Sequence, residues 1–256
     1  MKLTTWAWQR GVRFYNYVWF TRARAINPKQ ASLRRDLLRR FRQVDAIIDC
    51  LHTEKEMLVM VDFLLTHAPE GCMVECGSYL GGSSAKLSLV AAATGRQLYI
   101  CDSFEGLPQP MGPDGNFSDT RSGVPRHFVE GEFAARRNVV EDNVRRWGKI
   151  EVCRFVEGFF SDSLPKLLHD EPLRPAFIFA DADLVASTRD VLRNLWPRLT
   201  PRGRFYTHDA NLAEFCEGVM DGAFWRDELG EFSPILFGAG HGLGFQAGAI
   251  AYCRKQ

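Results

Sequence analysis

The spacing of hydrophobic residues changes near residue 70 of the chain. Between residues 30 and 68, apolar residues recur at intervals of three and four, which is typical of the buried face of amphipathic helices. Beyond residue 70, short runs rich in β-branched and aromatic residues alternate with helical stretches. These predicted strands cover residues 72–76, 97–101, 150–156, 176–180 and 204–207. Such strand–helix alternation predicts a parallel sheet with helices on both faces.

Two helices and a last pair of strands complete the predicted pattern. Residues 84–94 are predicted to form a helix that stops at Gly95, because glycine is common at helix ends. Residues 187–199 are predicted to form a second helix between two predicted strands. Two more β-rich runs, at 231–237 and 245–253, predict an antiparallel pair at the end of the chain. The pattern as a whole predicts an α/β fold with a doubly wound, mostly parallel sheet.

Positive charge is concentrated in the N-terminal part of the chain. Residues 1–42 contain eleven lysines and arginines but only one acidic residue, Asp36. Because the whole chain has a net charge of +1, the remaining residues are acidic as a group. Residues 1–28 also carry many aromatic side chains. We predict that residues 1–54 form a helical extension that contacts another subunit of a homo-oligomer or covers the active site.

Length and composition are those of an ordinary globular protein. The chain has 256 residues, of which 25% are charged and 46% are hydrophobic, so we exclude a disordered or fibrous protein. No apolar run reaches the ~18 residues that a membrane span needs, and no secretory signal is recognisable. The seven cysteines include no C-x-x-C pair, which favours free thiols in a reducing compartment. We therefore expect a cytoplasmic protein with no membrane span and no nucleic-acid partner.

One long segment interrupts the alternation of strands and helices. Residues 103–132 are rich in glycine and proline. A loop of this length in a compact domain is usually a lid over an active site or a disordered insertion. We predict a lid, within a domain that spans residues 55–256.

A glycine-rich segment connects the first predicted strand to the helix that follows it. Residues 74–84 read Val-Glu-Cys-Gly-Ser-Tyr-Leu-Gly-Gly-Ser-Ser. Glycines allow the backbone to approach a ligand, and the helix N-terminus offers free N–H groups. Asp102 ends the next strand, where a carboxylate accepts hydrogen bonds from the ribose hydroxyls of a nucleoside cofactor. The spacing departs from GxGxxG, which counts against NAD.

Acidic residues follow the last two parallel strands of the pattern. Asp181 and Asp183 come directly after one strand, and His208 and Asp209 follow the next. Because the carboxyl ends of parallel strands border one crevice, we expect these side chains to lie near one another. Oxygen-rich or imidazole ligands from neighbouring strand ends can hold an octahedral Mg²⁺ ion.

In their order along the chain, these segments resemble the class I S-adenosylmethionine methyltransferases of the macrocin O-methyltransferase (TylF-like) family. The resemblance covers residues 55–210. Its most specific stretch is 99–108, Tyr-Ile-Cys-Asp-Ser-Phe-Glu-Gly-Leu-Pro, and residues 158–165 resemble the segment beside the adenine. The resemblance implies a Rossmann-like, doubly wound sheet of seven strands, mostly parallel with a C-terminal antiparallel pair, and a helical N-terminal extension.

The resemblance also implies a cofactor and the residues that would bind it. Glu75 would face the amino-acid end of S-adenosylmethionine and Asp102 its ribose, while a divalent cation would bind nearby. The full set of implied cofactor-binding residues is Glu75, Gly77, Ser78, Tyr79, Gly81, Ser83, Ser84, Asp102, Ser103, Phe104, Gly158, Phe159, Phe160 and Ser161. The ligands implied for the cation are Asp181, His208 and Asp209, and Asp183 is the implied base. The function implied is O-methylation of a hydroxyl group on a sugar, a polyol or a natural-product intermediate.

His208 stands where the family usually has an acid. Imidazole is a poorer Mg²⁺ ligand than carboxylate, so Mg²⁺ is the first expectation and Mn²⁺ or another ion the alternative. Two other functions stay open on the sequence. One is a metal-dependent glycosyltransferase that holds a nucleotide-sugar through Asp181 and Asp183. The other is a non-catalytic cofactor-binding module on the same fold.

Overall fold

The fold is built around a central β-sheet of six strands. The computed structural model describes residues 2–112, 114–119 and 122–256, with side chains from residue 8 onward. The strands are β1 (Cys72–Cys76), β2 (Leu98–Asp102), β3 (Asn116–Ser118), β4 (Pro125–His127), β5 (Cys153–Glu157), β6 (Pro175–Ala180), β7 (Arg204–Thr207) and β8 (Ala251–Arg254). The sheet order is β5-β2-β1-β6-β7-β8, while β3 and β4 form a separate hairpin. All neighbours in the sheet pair in parallel except β7 and β8, which are antiparallel.

Helices cover both faces of the sheet and extend the chain at its N-terminus. They are α1 (Lys2–Val18), α2 (Pro28–Asp45), α3 (Glu54–Thr66), α4 (Gly82–Thr94), α5 (Arg137–Trp147), α6 (Phe160–Asp170), α7 (Val185–Leu195), α8 (Ala213–Val219) and α9 (Gly222–Leu229). A π-helical turn, Trp19–Ala23, follows α1. No described helix is long and apolar enough to cross a membrane.

The order of the strands reverses between β1 and β6. From β1 the chain builds outward through β2 and β5 on one side, and from β6 through β7 on the other. At this switch point the backbone N–H of Asp181 donates to the carbonyl oxygen of Cys76 at 2.9 Å. In open α/β sheets a ligand crevice forms outside the carboxyl ends of the strands at such a point. The candidate residues of the sequence therefore converge there.

The predicted α/β class and the mostly parallel sheet with a C-terminal antiparallel pair are confirmed. The central sheet of the described residues has six strands, however, instead of the predicted seven. Residues 231–237 form no strand, and only Phe237 bridges to Tyr252. Pro234 has no N–H to donate, and Gly238, with φ of 102°, turns the chain away after that bridge. The antiparallel pair is formed by β7 and β8 instead.

The N-terminal helices pack on the same core as the α3–α4 face of the sheet. Phe20, Leu38 and Phe41 are almost fully buried in a hydrophobic cluster with α3, α4 and the sheet. Arg34 is fully buried and pairs with Asp62 of α3 at 2.8 Å. The outer part of this region differs, because several aromatic side chains of α1 are exposed. The sequence-predicted free cysteines are all unpaired thiols.

Candidate active site

A cavity of about 750 Å³ lies over the carboxyl ends of β1, β2, β6 and β7. The β3–β4 hairpin lies at its edge, within the segment predicted to be a lid. Eleven of the sequence-predicted site residues line the cavity: Gly77, Tyr79, Asp102, Ser103, Phe159, Phe160, Ser161, Asp181, Asp183, His208 and Asp209. The glycine-rich half and the acidic half of the predicted site thus face one space.

The loop between β1 and α4 depends on glycine. Gly77 has a φ of 93°, and a Cβ atom there would lie 1.9 Å from the carbonyl oxygen of Asp181. A side chain at this position would therefore separate β1 from the end of β6. Gly81, with φ of 79°, precedes α4 and has no side chain with which to cap it. No side chain at this position therefore accepts from the first N–H groups of α4.

Asp102 is held in place by donors from its own neighbourhood. Its Oδ2 accepts hydrogen bonds from the backbone N–H of Ser78 at 2.6 Å and from the Ser78 hydroxyl at 2.8 Å. Its Oδ1 accepts from the backbone N–H of Phe104 at 2.7 Å. A carboxylate has about four lone-pair positions, so Asp102 keeps acceptor capacity toward the cavity. Gly158 donates its N–H to the Asp102 carbonyl oxygen at 2.9 Å, which holds the β5–α6 loop beside it.

Glu75 is a buried carboxyl group on β1. It is fully shielded from solvent, and neither side-chain oxygen has a hydrogen-bond partner among the described residues. This burial raises the pKa of Glu75 to about 7. Glu75 does not line the cavity, and neither do five other predicted residues, which lie in the surrounding loops or in the first turn of α4. They are Ser78, Gly81, Ser83, Ser84 and Gly158. Phe104 does not line the cavity either, because it is buried against Ala135 and Val140.

Two residues that the sequence analysis did not select complete the acidic half. His52 Nε2 lies 3.0 Å from Asp181 Oδ2, and His208 Nδ1 lies 3.3 Å from Asp181 Oδ1. The other ring nitrogen of His208, Nε2, lies 3.4 Å from Oε2 of Glu56. The spacing of His52 along the sequence gives no indication of a site. The only sequence signal nearby is the Thr53–Glu56 capping box that starts α3.

The two histidines have opposite electrostatic surroundings. Although burial opposes a charged ring, Asp181 and Glu56 hold the pKa of His208 well above its usual range. Burial and the neighbouring His208 lower the pKa of His52. Burial also opposes ionisation of Glu56, yet the hydrogen bond with His208 lowers the pKa of that carboxyl to about 2. The structure therefore favours one imidazolium, one neutral imidazole and ionised carboxylates in this cluster.

Asp183 and Asp209 form a second acidic pair at the cavity. Asp183 has a φ of 58°, in the left-handed region that residues other than glycine adopt rarely, and such conformations cluster at functional sites. Burial, then the nearby Asp209 and Asp181, raise the pKa of Asp183 well above its usual range. Burial raises the pKa of Asp209 to about 7, and its Oδ2 has no described hydrogen-bond partner. A carboxyl group with a raised pKa is suited to accept a proton near neutral pH.

The predicted lid is attached to the helices beside these acids. The Asp114 carboxylate accepts hydrogen bonds from the backbone N–H groups of Val185 at 2.8 Å and Ala186 at 2.9 Å, and so caps α7. Asn211 donates its side-chain amide to Asp119 at 2.5 Å. Arg126 pairs with Glu132 at 2.8 Å and lines the cavity. These contacts hold the segment against the mouth of the cavity.

The donor set at the strand ends fits a divalent cation. One ligand atom from each of His52, Asp181 and His208 lies within 4.8 Å of the others. Asp209 adds a buried carboxylate oxygen that no described group satisfies. Carboxylates and imidazoles are common ligands of divalent ions, and the unsatisfied oxygen is an orphan that an ion would pair.

Sequence comparison relates the chain to methyltransferases. A profile of the family described as macrocin-O-methyltransferase (TylF) matches residues 54–229. The chain is 34% identical over 179 residues to the 8-demethyl-8-(2,3-dimethoxy-alpha-L-rhamnosyl)-tetracenomycin-C 4'-O-methyltransferase of Streptomyces olivaceus, over 68% of this chain and 65% of that protein. It is 30% identical over 155 residues to the demethyldecarbamoylnovobiocin O-methyltransferase of Streptomyces niveus, over 59% of this chain and 57% of that protein. The matched region spans 65% and 57% of these two relatives, less than two thirds of either.

Solved structures show the same fold. The O-methyltransferase NovP superposes with a TM-score of 0.60 at 24% identity, over 80% of this chain and 82% of that one. The calicheamicin methyltransferase CalS11 superposes with a TM-score of 0.59 at 18% identity, over 90% of this chain and 94% of that one. At these identities the likeness extends to the fold alone.

Proposed function

The chain belongs to the macrocin O-methyltransferase (TylF) family, and from that premise we propose that it transfers a methyl group from S-adenosylmethionine to a hydroxyl group of a small molecule. One observation carries the proposal. A single cavity joins the glycine loop after β1 and Asp102 with the acids that follow β6 and β7. A methyl donor and a hydroxylated acceptor would therefore meet in one enclosed space.

The glycine-rich half is the proposed cofactor side. The backbone around Gly77 and the N–H groups of α4 would receive the polar amino-acid end, whose cationic amino group would favour the ionised form of the buried Glu75. The free acceptor positions of Asp102 would bind the ribose hydroxyls. Ser103 and the Phe159–Ser161 segment, which line the cavity, would border the adenine. When bound, the cofactor supplies an electrophilic methyl group, and the contribution of the protein is its orientation.

The acidic half is the proposed acceptor side. Asp183 would remove the proton of the acceptor hydroxyl, and its raised pKa supports this role because a stronger base accepts a proton more readily. Its backbone conformation, with φ of 58°, fixes the side chain at the cavity beside Asp209. Asp181, His208 and Asp209 would hold a divalent cation. Such an ion lowers the pKa of an oxygen that binds to it.

The acceptor class is proposed from the cavity and the relatives together. The relatives are named as methyltransferases of rhamnosylated tetracenomycin and of demethyldecarbamoylnovobiocin. Here the cavity combines polar groups at the strand ends with apolar lid side chains, among them Leu107, Met111 and Phe128. We therefore propose a sugar or polyol hydroxyl on a larger natural-product intermediate, with the apolar part of that molecule against the lid.

The N-terminal arm is proposed to join copies of the chain into a homo-oligomer in the cytoplasm. Trp8 and Phe14 of α1 are 57% and 68% exposed. They lie in a strongly basic segment, while the rest of the chain is acidic as a group. Opposite charge and exposed aromatic surface are features of contacts between subunits.

The experiment that tests the function is methyl transfer to a panel of acceptors. Purified protein is incubated with isotope-labelled S-adenosylmethionine and with glycosylated and unglycosylated forms of the same natural-product scaffolds. We expect labelled product from a glycosylated acceptor, with Asp183→Asn as the inactive control. Labelling that is equal with and without the sugar would refute the proposed acceptor class. Absence of cofactor binding would refute the function itself.

A further inference from the structure

We infer that His52 joins Asp181 and His208 as a ligand of the proposed cation, so that the site selects a first-row transition-metal dication instead of Mg²⁺. The inference rests on the proposed function only in that it concerns the same cavity. It adds a residue from outside the sheet, in the segment that precedes α3. It also changes the class of ion.

The first argument is the position of the donor atoms. His52 Nε2 and His208 Nδ1 lie 3.0 Å and 3.3 Å from the two carboxylate oxygens of Asp181, and one donor atom from each residue falls within 4.8 Å of the others. Ligands bound to one ion at about 2.1 Å lie within about 4.2 Å of one another. A side-chain adjustment of roughly half an ångström would therefore bring the three atoms around one ion.

The second argument is the state of the His52 side chain. It is only 6% exposed, and its Nδ1 atom has no hydrogen-bond partner among the described residues. Asp181 therefore fixes the ring through Nε2, the nitrogen that an ion in this cluster would meet.

The third argument is the way Glu56 holds His208. Metal-bound histidines almost always engage a carboxylate, a carbonyl or a water with the nitrogen that does not bind the metal. Here Nδ1 of His208 faces Asp181, while Nε2 faces Glu56 at 3.4 Å. Glu56 is fixed in turn, because its Oε1 accepts from the backbone N–H of Ala249 at 2.9 Å and its Oε2 from that of Thr53 at 2.8 Å. This arrangement matches that of an outer carboxylate that orients a ligand.

The identity of the ligands determines the class of ion. Mg²⁺ prefers six oxygen ligands in an octahedron, whereas imidazole nitrogen suits the later divalent ions such as Co²⁺ and Zn²⁺. Two imidazoles and one carboxylate form a set that transition metals bind with positions left open. Those open positions would be available to Asp209, to water or to the acceptor.

Binding of Co²⁺ to the full-length, metal-free protein tests the inference without relying on turnover. Calorimetry and the visible absorption of Co²⁺ are recorded with the wild type, with His52→Ala and His52→Asn, and with His169→Ala, whose side chain is 87% exposed. We expect one equivalent of Co²⁺ to bind, with no displacement by excess Mg²⁺. We expect the two His52 variants to bind Co²⁺ at least ~10-fold more weakly and His169→Ala to match the wild type.

Three results would overturn the inference. They are displacement of Co²⁺ by Mg²⁺ at similar concentrations, unchanged affinity in both His52 variants, and absence of Co²⁺ binding. The first needs no variant, so it stands even if a substitution disturbs folding. S-adenosylhomocysteine is titrated into the same samples. If it binds while Co²⁺ does not, the metal inference fails and the proposed function survives; if S-adenosylhomocysteine does not bind, the proposed function fails.

Discussion

The buried carboxyl of Glu75 makes the stability of the protein depend on pH in a way that one substitution removes. Glu75 is fully buried without a described hydrogen-bond partner, so its ionised form is disfavoured in the folded protein. In the unfolded chain the same group is solvated and ionises at its ordinary pKa. Glu75→Gln keeps the shape of the side chain but cannot ionise. The variant should therefore lack the part of the pH dependence that Glu75 causes.

The sign and the size of this effect follow from the two pKa values. The pKa of Glu75 is higher in the folded protein than in the unfolded chain. Glu75 therefore contributes its full stabilisation of the fold below the ordinary pKa of 4.5, and this contribution is lost as the pH rises through about 7. Linkage over that interval gives a loss of about 2.5 kcal/mol between pH 5 and pH 8. Wild-type protein should lose that much stability relative to Glu75→Gln. The cofactor-free protein should show the full effect.

Urea unfolding of both proteins at pH 5 and pH 8, without cofactor, measures this difference directly. Glu130→Gln is the matched control, because Glu130 is exposed. We expect the free energy of unfolding of the wild type minus that of Glu75→Gln to fall by about 2 to 3 kcal/mol from pH 5 to pH 8, while the same difference for Glu130→Gln stays constant. A gap for Glu75→Gln that does not change with pH would show that the folded protein does not disfavour the charged form of Glu75.

Further predictions concern the proposed base, the lid and the arm. Asp183→Asn should lower kcat by at least ~100-fold, as loss of a general base does, and leave the Kd for S-adenosylhomocysteine unchanged; the reverse pattern would refute the role. Asp114→Ala removes the cap of α7, so it should lower the free energy of unfolding by about 1 kcal/mol and raise the KM for the acceptor. An unchanged KM would mean that this contact does not hold the lid. The double variant Trp8→Ser, Phe14→Ser should reduce the mass measured by light scattering, and an unchanged mass would exclude α1 from the subunit interface.

Much of the site could be predicted because strand ends in a parallel sheet are neighbours by topology. Asp102 ends β2, and Asp183 and Asp209 follow β6 and β7, so alternation of strands and helices alone predicts that they lie near one crevice. The family assignment is confirmed on the same segments, since the matching profile covers residues 54–229.

The rest could not be read from spacing, because it depends on packing between distant segments. His52 precedes α3 and approaches Asp181, 129 residues away, only after the helices of the extension dock against the sheet. The strand predicted at residues 231–237 is absent from the structure for a related reason. Residues 231–237 have the composition of a strand, but Pro234 and the glycines that follow leave only Phe237 paired. Composition indicates the preference of a segment, and the turns around it decide whether it pairs.

Calorimetric titration with S-adenosylhomocysteine tests the central claim most directly. It is carried out with wild type, with Asp102→Ala, and with Asp170→Ala, whose side chain is 72% exposed, and uridine diphosphate with Mn²⁺ serves as the competing ligand class. We expect the wild type and Asp170→Ala to bind S-adenosylhomocysteine with a Kd on the order of micromolar and Asp102→Ala to bind at least ~10-fold more weakly, since bonds to a charged acceptor are worth about 1.5–3 kcal/mol each. Binding of uridine diphosphate without binding of S-adenosylhomocysteine would contradict the assignment of this cavity to a methyl donor.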